Sequence, residues 1–230
     1  MKSSRISSMC ASYGAASEFN LLHKTYRVEL PPVLFVPKQV IYPHTPAPVI
    51  VKGAQSREVH AMNYSLVPEW SRTKKPKFAT YNARIEEVLN KPSWKKPFES
   101  RHCLVPIREF YEAAYTGDFA GHWISIKGGH DEVLTAAGIW DVWQDSATGE
   151  VVDSFAIITT EPTAEIIKAG HDRSPLFLNA DAFDEWLEAK KSGKEWVRFL
   201  NEHRDFSDLD FAAGEKLKGY TGQMSLFDDE

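Results

Sequence analysis

The sequence predicts an α+β fold with a largely antiparallel sheet. Three observations predict it: strand-like runs crowd the middle of the chain, helical spacing gathers late, and strand and helix nowhere alternate in the rhythm of a parallel sheet. With 230 residues the chain can bury a sizeable core without disulfides. Its 43% hydrophobic and 26% charged content fits that reading and not a disordered chain.

Taken in order, residues 14–25 have helical spacing through Phe19, Leu22 and His23. Pro43, Pro46 and Pro48 predict an extended loop ahead of a short strand at 49–51. Strand-like runs follow at 58–66, 102–106, 108–114, 122–127, 132–139 and 154–160. Helices are expected at 83–90, 161–169, 181–191 and 194–201. Beyond about residue 205 the chain turns acidic and loses periodicity, so 206–230 reads as a tail whose last ten residues are expected to be mobile.

Composition narrows the function. No apolar run approaches the roughly 18 residues that span a bilayer, which argues against a membrane partner. The opening MKSSRISSM lacks the apolar core of a secretory signal. Cys10 and Cys103 are too few for a disulfide scaffold, so a reducing, cytoplasmic setting is expected. No pair of histidines has H-x-x-x-H spacing, and neither a Gly-rich phosphate loop nor a G-x-S-x-G elbow is present. The net charge of −5 argues against a generally basic coat. Residues 72–101 nevertheless carry nine Lys/Arg against three acids, whereas 181–230 carry thirteen acids against seven bases. The basic stretch serves either a local polyanion contact or a solvated loop.

Five short patterns remain. They are Met9-Cys10, Leu66-Val67-Pro68-Glu69-Trp70, Tyr81-Asn82-Ala83-Arg84-Ile85-Glu86, Val105-Pro106-Ile107-Arg108-Glu109-Phe110-Tyr111-Glu112 and His171-Asp172-Arg173-Ser174-Pro175, the last following Ile157-Ile158-Thr159-Thr160. In this order and spacing the chain resembles the SOS response-associated peptidase (SRAP) family, whose pattern runs M-C-G-R, W-G-L-V-P-x-W, N-A-R-x-E, G-F-Y-E-W and H-x-R-M-P. The resemblance covers about residues 9–200. It implies a SRAP fold with a barrel-like core and flanking helices, occupying residues 10–205. It also implies binding of single-stranded DNA and a covalent crosslink to abasic sites. In that chemistry the amine and thiol of an N-terminal cysteine both attack the sugar aldehyde and close a thiazolidine ring that shields the lesion.

The resemblance names Cys10 as nucleophile, Glu112 as general acid–base, His171 as a proton donor to the sugar and Asn82 as the group orienting the amine or ring. Arg84 is expected to clamp a phosphate and Thr159 to make a minor contact. Glu86 is expected to anchor Arg84 or a loop. Trp70, beside Lys74, Lys75 and Lys77, is the candidate stacking surface for single-stranded DNA. The residue chemistry agrees. An α-amine titrates near about 8 and keeps a neutral fraction at pH 7. It forms imines with carbonyls, and only an N-terminal cysteine adds a thiol at the right place to trap one. No cofactor is implied, and a monomer is the simplest assembly.

The chain departs from the family pattern at Ala11, Ser12, Tyr64, Ser65, Ala113 and Ser174, where the pattern has Gly, Arg, Trp, Gly, Trp and Met. Its Y-N-x-A-P segment reads Tyr42-Pro43-His44-Thr45-Pro46. As written, Cys10 is internal and its nitrogen is an amide. Translation from Met9 is the favoured reading of residues 1–9; removal of a leader, or the lack of a thiazolidine, are the others. A peptidase acting on its own leader and a non-catalytic single-strand binder stay open as functions. Finally, Gln223-Met224-Ser225-Leu226-Phe227 resembles the bacterial sliding-clamp-binding peptide, with Gln223 as polar latch and Leu226 and Phe227 as apolar anchors.

Overall fold

The computed structural model describes residues 12–29 and 40–220. The chain opens with β1 (Ser12–Ala15), α1 (Phe19–Tyr26), β2 (Pro46–Lys52), β3 (Arg57–Tyr64) and β4 (Asn82–Arg84). It continues through α2 (Pro92–Ser100), β5 (His102–Ala114), β6 (His122–Gly128), β7 (Leu134–Gln144) and β8 (Val151–Thr160). It closes with α3 (Ala164–Ala169), β9 (Ser174–Pro175), α4 (Phe183–Glu188), α5 (Gly193–Glu202) and β10 (Leu209–Lys216).

The strands form one mixed, mainly antiparallel sheet that closes on itself. β5 pairs with β2, β2 with β3, β3 with β8, β8 with β7, and β7 returns to β5. Alternation then sorts the side chains. Val49, Val51, Met62, Tyr64, Cys103, Val105, Ala136, Phe155 and Ile157, drawn from all five ring strands, share one buried cluster inside the ring. The alternate residues Ile50, Leu104, Ala137, Ile139, Ala156 and Ile158 share a second with Phe98, Trp186, Trp196 and Phe199 of the helices. The late helices therefore cover the outside of the barrel-like core.

A bulge on β5 decides which way its last turn of chemistry faces. Gly14 pairs with Glu109 but the next residue, Ala15, pairs with Ile107, so Arg108 is an extra residue on β5. An extra residue shifts the alternation by one. Before it, odd-numbered Cys103, Val105 and Ile107 point inward; after it, even-numbered Phe110 and Ala114 do. Glu112 shares their parity and is carried inward with them.

Ser65, where the family pattern has glycine, holds φ 136°, a backbone region that favours glycine. Its N–H donates to Phe155 O at 3.0 Å and its hydroxyl lies 3.1 Å from Thr80 Oγ1. These two bonds hold the strained peptide against the barrel.

Several expected elements differ. The helix expected at 83–90 is instead strand β4 followed by turns, because residues 82–84 pair in parallel with Ile157, Ile158 and Thr159 and the Ile85 N–H donates to Thr159 O at 3.0 Å. Tertiary pairing overrides the helical spacing there. Helix α2 was not expected; Pro92 opens it at a position where a missing N–H costs nothing, and Trp94 and Phe98 form its buried stripe. The helix expected at 14–25 is split into β1 and α1. The two runs at 102–106 and 108–114 are one strand with the bulge at their junction. The sheet also runs past residue 205: Leu209–Lys216 pair with β6 although most of their side chains are exposed, since main-chain bonds need no apolar pattern. That strand corrects the start of the tail. Cys10, Gln223, Leu226 and Phe227 lie outside the described residues.

Candidate active site

β5 and the turn after α3 supply the two groups that meet. Gly170 ends α3 in a left-handed conformation, φ 113°, and a Cβ there would stand 2.0 Å from Thr116 O. Only glycine allows that approach, and the next residue, His171, is thereby turned toward β5. His171 Nε2 lies 2.9 Å from Glu112 Oε2, with the side chains 1% and 3% exposed. At this distance Nε2 and the carboxylate form an ion pair when the imidazole is protonated. Glu112 Oε1 is buried and has no hydrogen-bond partner among the described residues.

The other ring nitrogen faces the Arg173 peptide. His171 Nδ1 is 2.9 Å from Arg173 O and 3.2 Å from Arg173 N. It donates to the first or accepts from the second, and that choice sets whether Nε2 carries a proton toward Glu112. Burial pulls the imidazole down, but contact with Glu112 and the Arg173 carbonyl outweighs it and raises His171 above its ordinary value. The raised value favours the imidazolium, in which Nδ1 donates to Arg173 O and Nε2 faces the carboxylate.

The other expected residues surround this pair. Asn82, on β4, is 5% exposed, and its Oδ1 accepts from the Tyr64 hydroxyl at 3.1 Å. Thr159 pairs with Arg84 across β4–β8, and its Oγ1 accepts from Arg173 Nη2 at 3.3 Å. Glu86 takes both arms of Arg173, at 3.0 and 3.1 Å. Its expected anchoring role therefore serves the histidine loop and not Arg84. Burial raises the Glu86 carboxyl, but the Arg173 fork more than offsets this and holds it below its ordinary value. Arg173 and Tyr64 are the site's neighbours that sequence reasoning missed. Arg173 had a signal, its place in H-x-R-M-P; Tyr64 had none, since it stands where the family pattern has tryptophan.

Two openings lie near these residues, the first bordered by His171 and the second by Asn82 and Arg84. One, of about 260 Å³, is lined by Tyr115, Thr116, Ile167 and His171. The other, of about 430 Å³, runs past Phe78, Asn82, Arg84, Lys91 and Trp94. Trp70 is 54% exposed and its Nε1 donates to Pro92 O at 3.3 Å, placing it at the start of α2 beside the second opening. The basic stretch is partly neutralised: Lys74 pairs with Glu150, Lys96 with Glu69 and Arg101 with Asp141. Lys75 and Lys77 are exposed and have no ion pair among the described residues. Of the two cysteines, Cys103 is fully buried, and burial pushes its thiol up, far from thiolate chemistry. Among the described residues no cluster of His, Cys, Asp or Glu could hold a metal, and no helix is long and apolar enough to cross a membrane.

A family model described as SOS response associated peptidase (SRAP) matches residues 9–213. The chain belongs to the SRAP family. Its relatives include the abasic site processing protein YoqW of Bacillus subtilis, 26% identical over 204 residues covering 88% of this chain and 90% of that protein. The abasic site processing protein HMCES of Gallus gallus is 29% identical over 157 residues, 59% of this chain and 46% of that protein. Among solved structures, a Bordetella bronchiseptica protein covers 90% of this chain and 100% of its own with a TM-score of 0.74 at 19% identity. A Bacteroides thetaiotaomicron protein reaches 0.71 at 22% identity, covering 89% and 91%. These two likenesses concern the SRAP fold, and the barrel with flanking helices is the architecture they share.

Proposed function

We propose that this chain processes abasic sites in single-stranded DNA, capturing the ring-opened sugar through Cys10. One observation carries the reading: a buried histidine and a buried glutamate meet beside the strand that follows Cys10. Ser12 pairs with Tyr111, the neighbour of Glu112. The two residues from Ser12 back to position 10 reach at most about 7 Å. The printed names of YoqW and HMCES support the same substrate class.

The chemistry balances without a further reagent. The free α-amine of Cys10 adds to the aldehyde carbon, and loss of water gives an imine. The thiol then adds to the imine carbon, forming the C–S bond, while its proton passes to the nitrogen and closes the thiazolidine. Glu112 and His171 move the protons: one takes the proton from the attacking amine, and the other delivers one to the departing hydroxyl. Asn82 orients the amine or ring. Arg84 binds the adjacent phosphate, with Lys75 and Lys77 further along the backbone. The amine must be free, so this reading requires residues 1–9 to be absent from the active protein, whether by translation from Met9 or by removal.

The test is a denaturing gel of the protein with single-stranded DNA bearing an abasic site, beside mass spectrometry of the protein from its native locus. We expect a shifted band that is lost in Cys10→Ala. An active protein that keeps an intact Met1–Cys10 peptide overturns the thiazolidine. Separately, we propose that Gln223, Leu226 and Phe227 dock in a bacterial sliding clamp; a peptide of residues 218–230 that fails to bind the clamp ends that reading.

A further inference from the structure

The family pattern places a tryptophan after the site glutamate, and this chain has Ala113 there. Across the β5–β6 ladder, Ala113 pairs directly with Trp123. Directly paired residues project from the same face of a sheet with their Cβ atoms about 5 Å apart. The bulge that turns Glu112 inward turns Ala113, and with it Trp123, outward. Trp123 is 45% exposed, while its neighbour Ile124 is fully buried. On its other side runs β10, where a Cβ on Gly214 would meet the Trp123 Cβ at 3.6 Å. The indole thus rises between Ala113 on one flanking strand and Gly214 on the other, neither of which has a side chain large enough to cover its faces.

The same face carries Tyr111, one pair along and adjacent to the β1 strand that leads back to Cys10. Its phenol is fixed by Glu109, which also accepts from the Ser125 hydroxyl at 2.7 Å. Trp123 lies one strand over and two residues along from Tyr111, about 5 and 7 Å. Two aromatic side chains on adjacent strands of an open sheet face form a platform on which unpaired bases stack. The charge beside Tyr111 is the Glu109 carboxylate, and Lys127 lies 3.8 Å from that carboxylate, so this face offers stacking and little phosphate attraction.

We propose that Trp123 is a nucleobase-stacking residue for the single strand beside the lesion, its indole standing one strand away from where the family pattern carries one. The inference rests on the single-strand reading of the function. Its occupant is an unpaired DNA base.

The test is fluorescence anisotropy of the full chain with a labelled oligothymidylate of about 15 nucleotides and no abasic site, titrated at several salt concentrations. Trp123→Ala weakens binding about tenfold, the scale of one lost base–aromatic stack. It leaves the slope of log affinity against log salt unchanged, because no phosphate contact is lost. Lys75→Ala is the opposite control: it lowers that slope. Trp123→Phe retains most of the affinity. In the Trp123→Ala background, Ala113→Trp restores binding to within about threefold of the parent by returning the indole to the neighbouring strand. Parent binding with no loss beyond about twofold in Trp123→Ala overturns this inference alone, since a lost stack exceeds that. A parent chain that does not bind the oligonucleotide overturns the single-strand reading and the inference with it.

Discussion

His171 and His102 are equally buried, at 4% and 3% exposed, yet their surroundings push them in opposite directions. His171 faces the Glu112 carboxylate, and that contact outweighs burial and raises it. His102 lies outside the barrel between α2 and α4, stacked on Trp186 at 3.5 Å with the rings 8° apart. Its ring nitrogens meet only carbonyls, Trp186 O at 2.6 Å and Phe98 O at 2.7 Å. Burial pushes it down to about 4, and the two carbonyls offset only part of this. A carbonyl is half a dipole, whereas a carboxylate is a full charge, and in a dry interior that difference decides the protonation state. One ring is therefore held toward its charged form and the other toward its neutral form. Sequence position does not distinguish them; what faces the ring does.

The largest expected effect tests the charged partner. Glu112→Gln slows crosslinking by about a hundredfold or more, the usual worth of a positioned acid–base, while binding of undamaged single strand stays near the parent value. The same variant removes the Glu112 carboxylate and leaves burial opposed only by the Arg173 carbonyl and the more distant Asp172, so the His171 titration, followed by proton NMR, moves down. A His171 midpoint that does not fall in Glu112→Gln removes the contrast between the two rings.

Next comes the packing histidine. His102→Ala removes the ring from a stack with Trp186 and leaves one carbonyl, of Phe98 or Trp186 according to the tautomer, without its donor. Urea unfolding should show a loss of about 3 kcal/mol, a cavity plus an unmet hydrogen bond. Crosslinking per folded molecule should not change.

The pH dependence of stability has opposite signs for the two rings. His102 is depressed, so its contribution is complete above the ordinary value of 6.5 and is lost as pH falls from there toward about 4, where the unfolded chain protonates first. His171 is raised, so its contribution is complete below 6.5 and is lost as pH rises through its elevated value. His102→Gln should flatten the acid limb of a stability–pH curve relative to the parent, and His171→Gln the alkaline limb. Both variants flattening the same limb would show that one ring has been misread.

The smallest effect belongs to Arg173→Lys. A lysine keeps the charge but makes one bond where the guanidinium fork makes two to Glu86 and one to Thr159. Because Glu86 is nearly half exposed, the stability loss should be about 0.5–1 kcal/mol. Crosslinking should fall a fewfold as the His171 loop loosens. An unchanged rate in Arg173→Lys would separate the fork from the histidine.

The sequence by itself determined the fold class and named the candidates for the site. Periodicity gave the long strands β3, β5, β6 and β8 and the late helices α3, α4 and α5, because each buries one face continuously against its neighbours. Ordered motifs named Asn82, Glu112 and His171 as candidates, and the structure buries all three, with Glu112 against His171. Tertiary structure decided the rest. Residues 82–90 follow β8 and not their own helical spacing; Leu209–Lys216 became a strand on main-chain bonds alone. The bulge at Arg108 turned Glu112 inward and Trp123 outward, and only the pairing of β1 with β5 reveals it. Whether a histidine is raised or depressed depends on groups about 60 to 85 residues away in the chain, the Glu112 carboxylate for one and burial against the Trp186 ring for the other. Local sequence records propensity and pattern; a charge set against a ring across the fold exists only once the chain has closed around it.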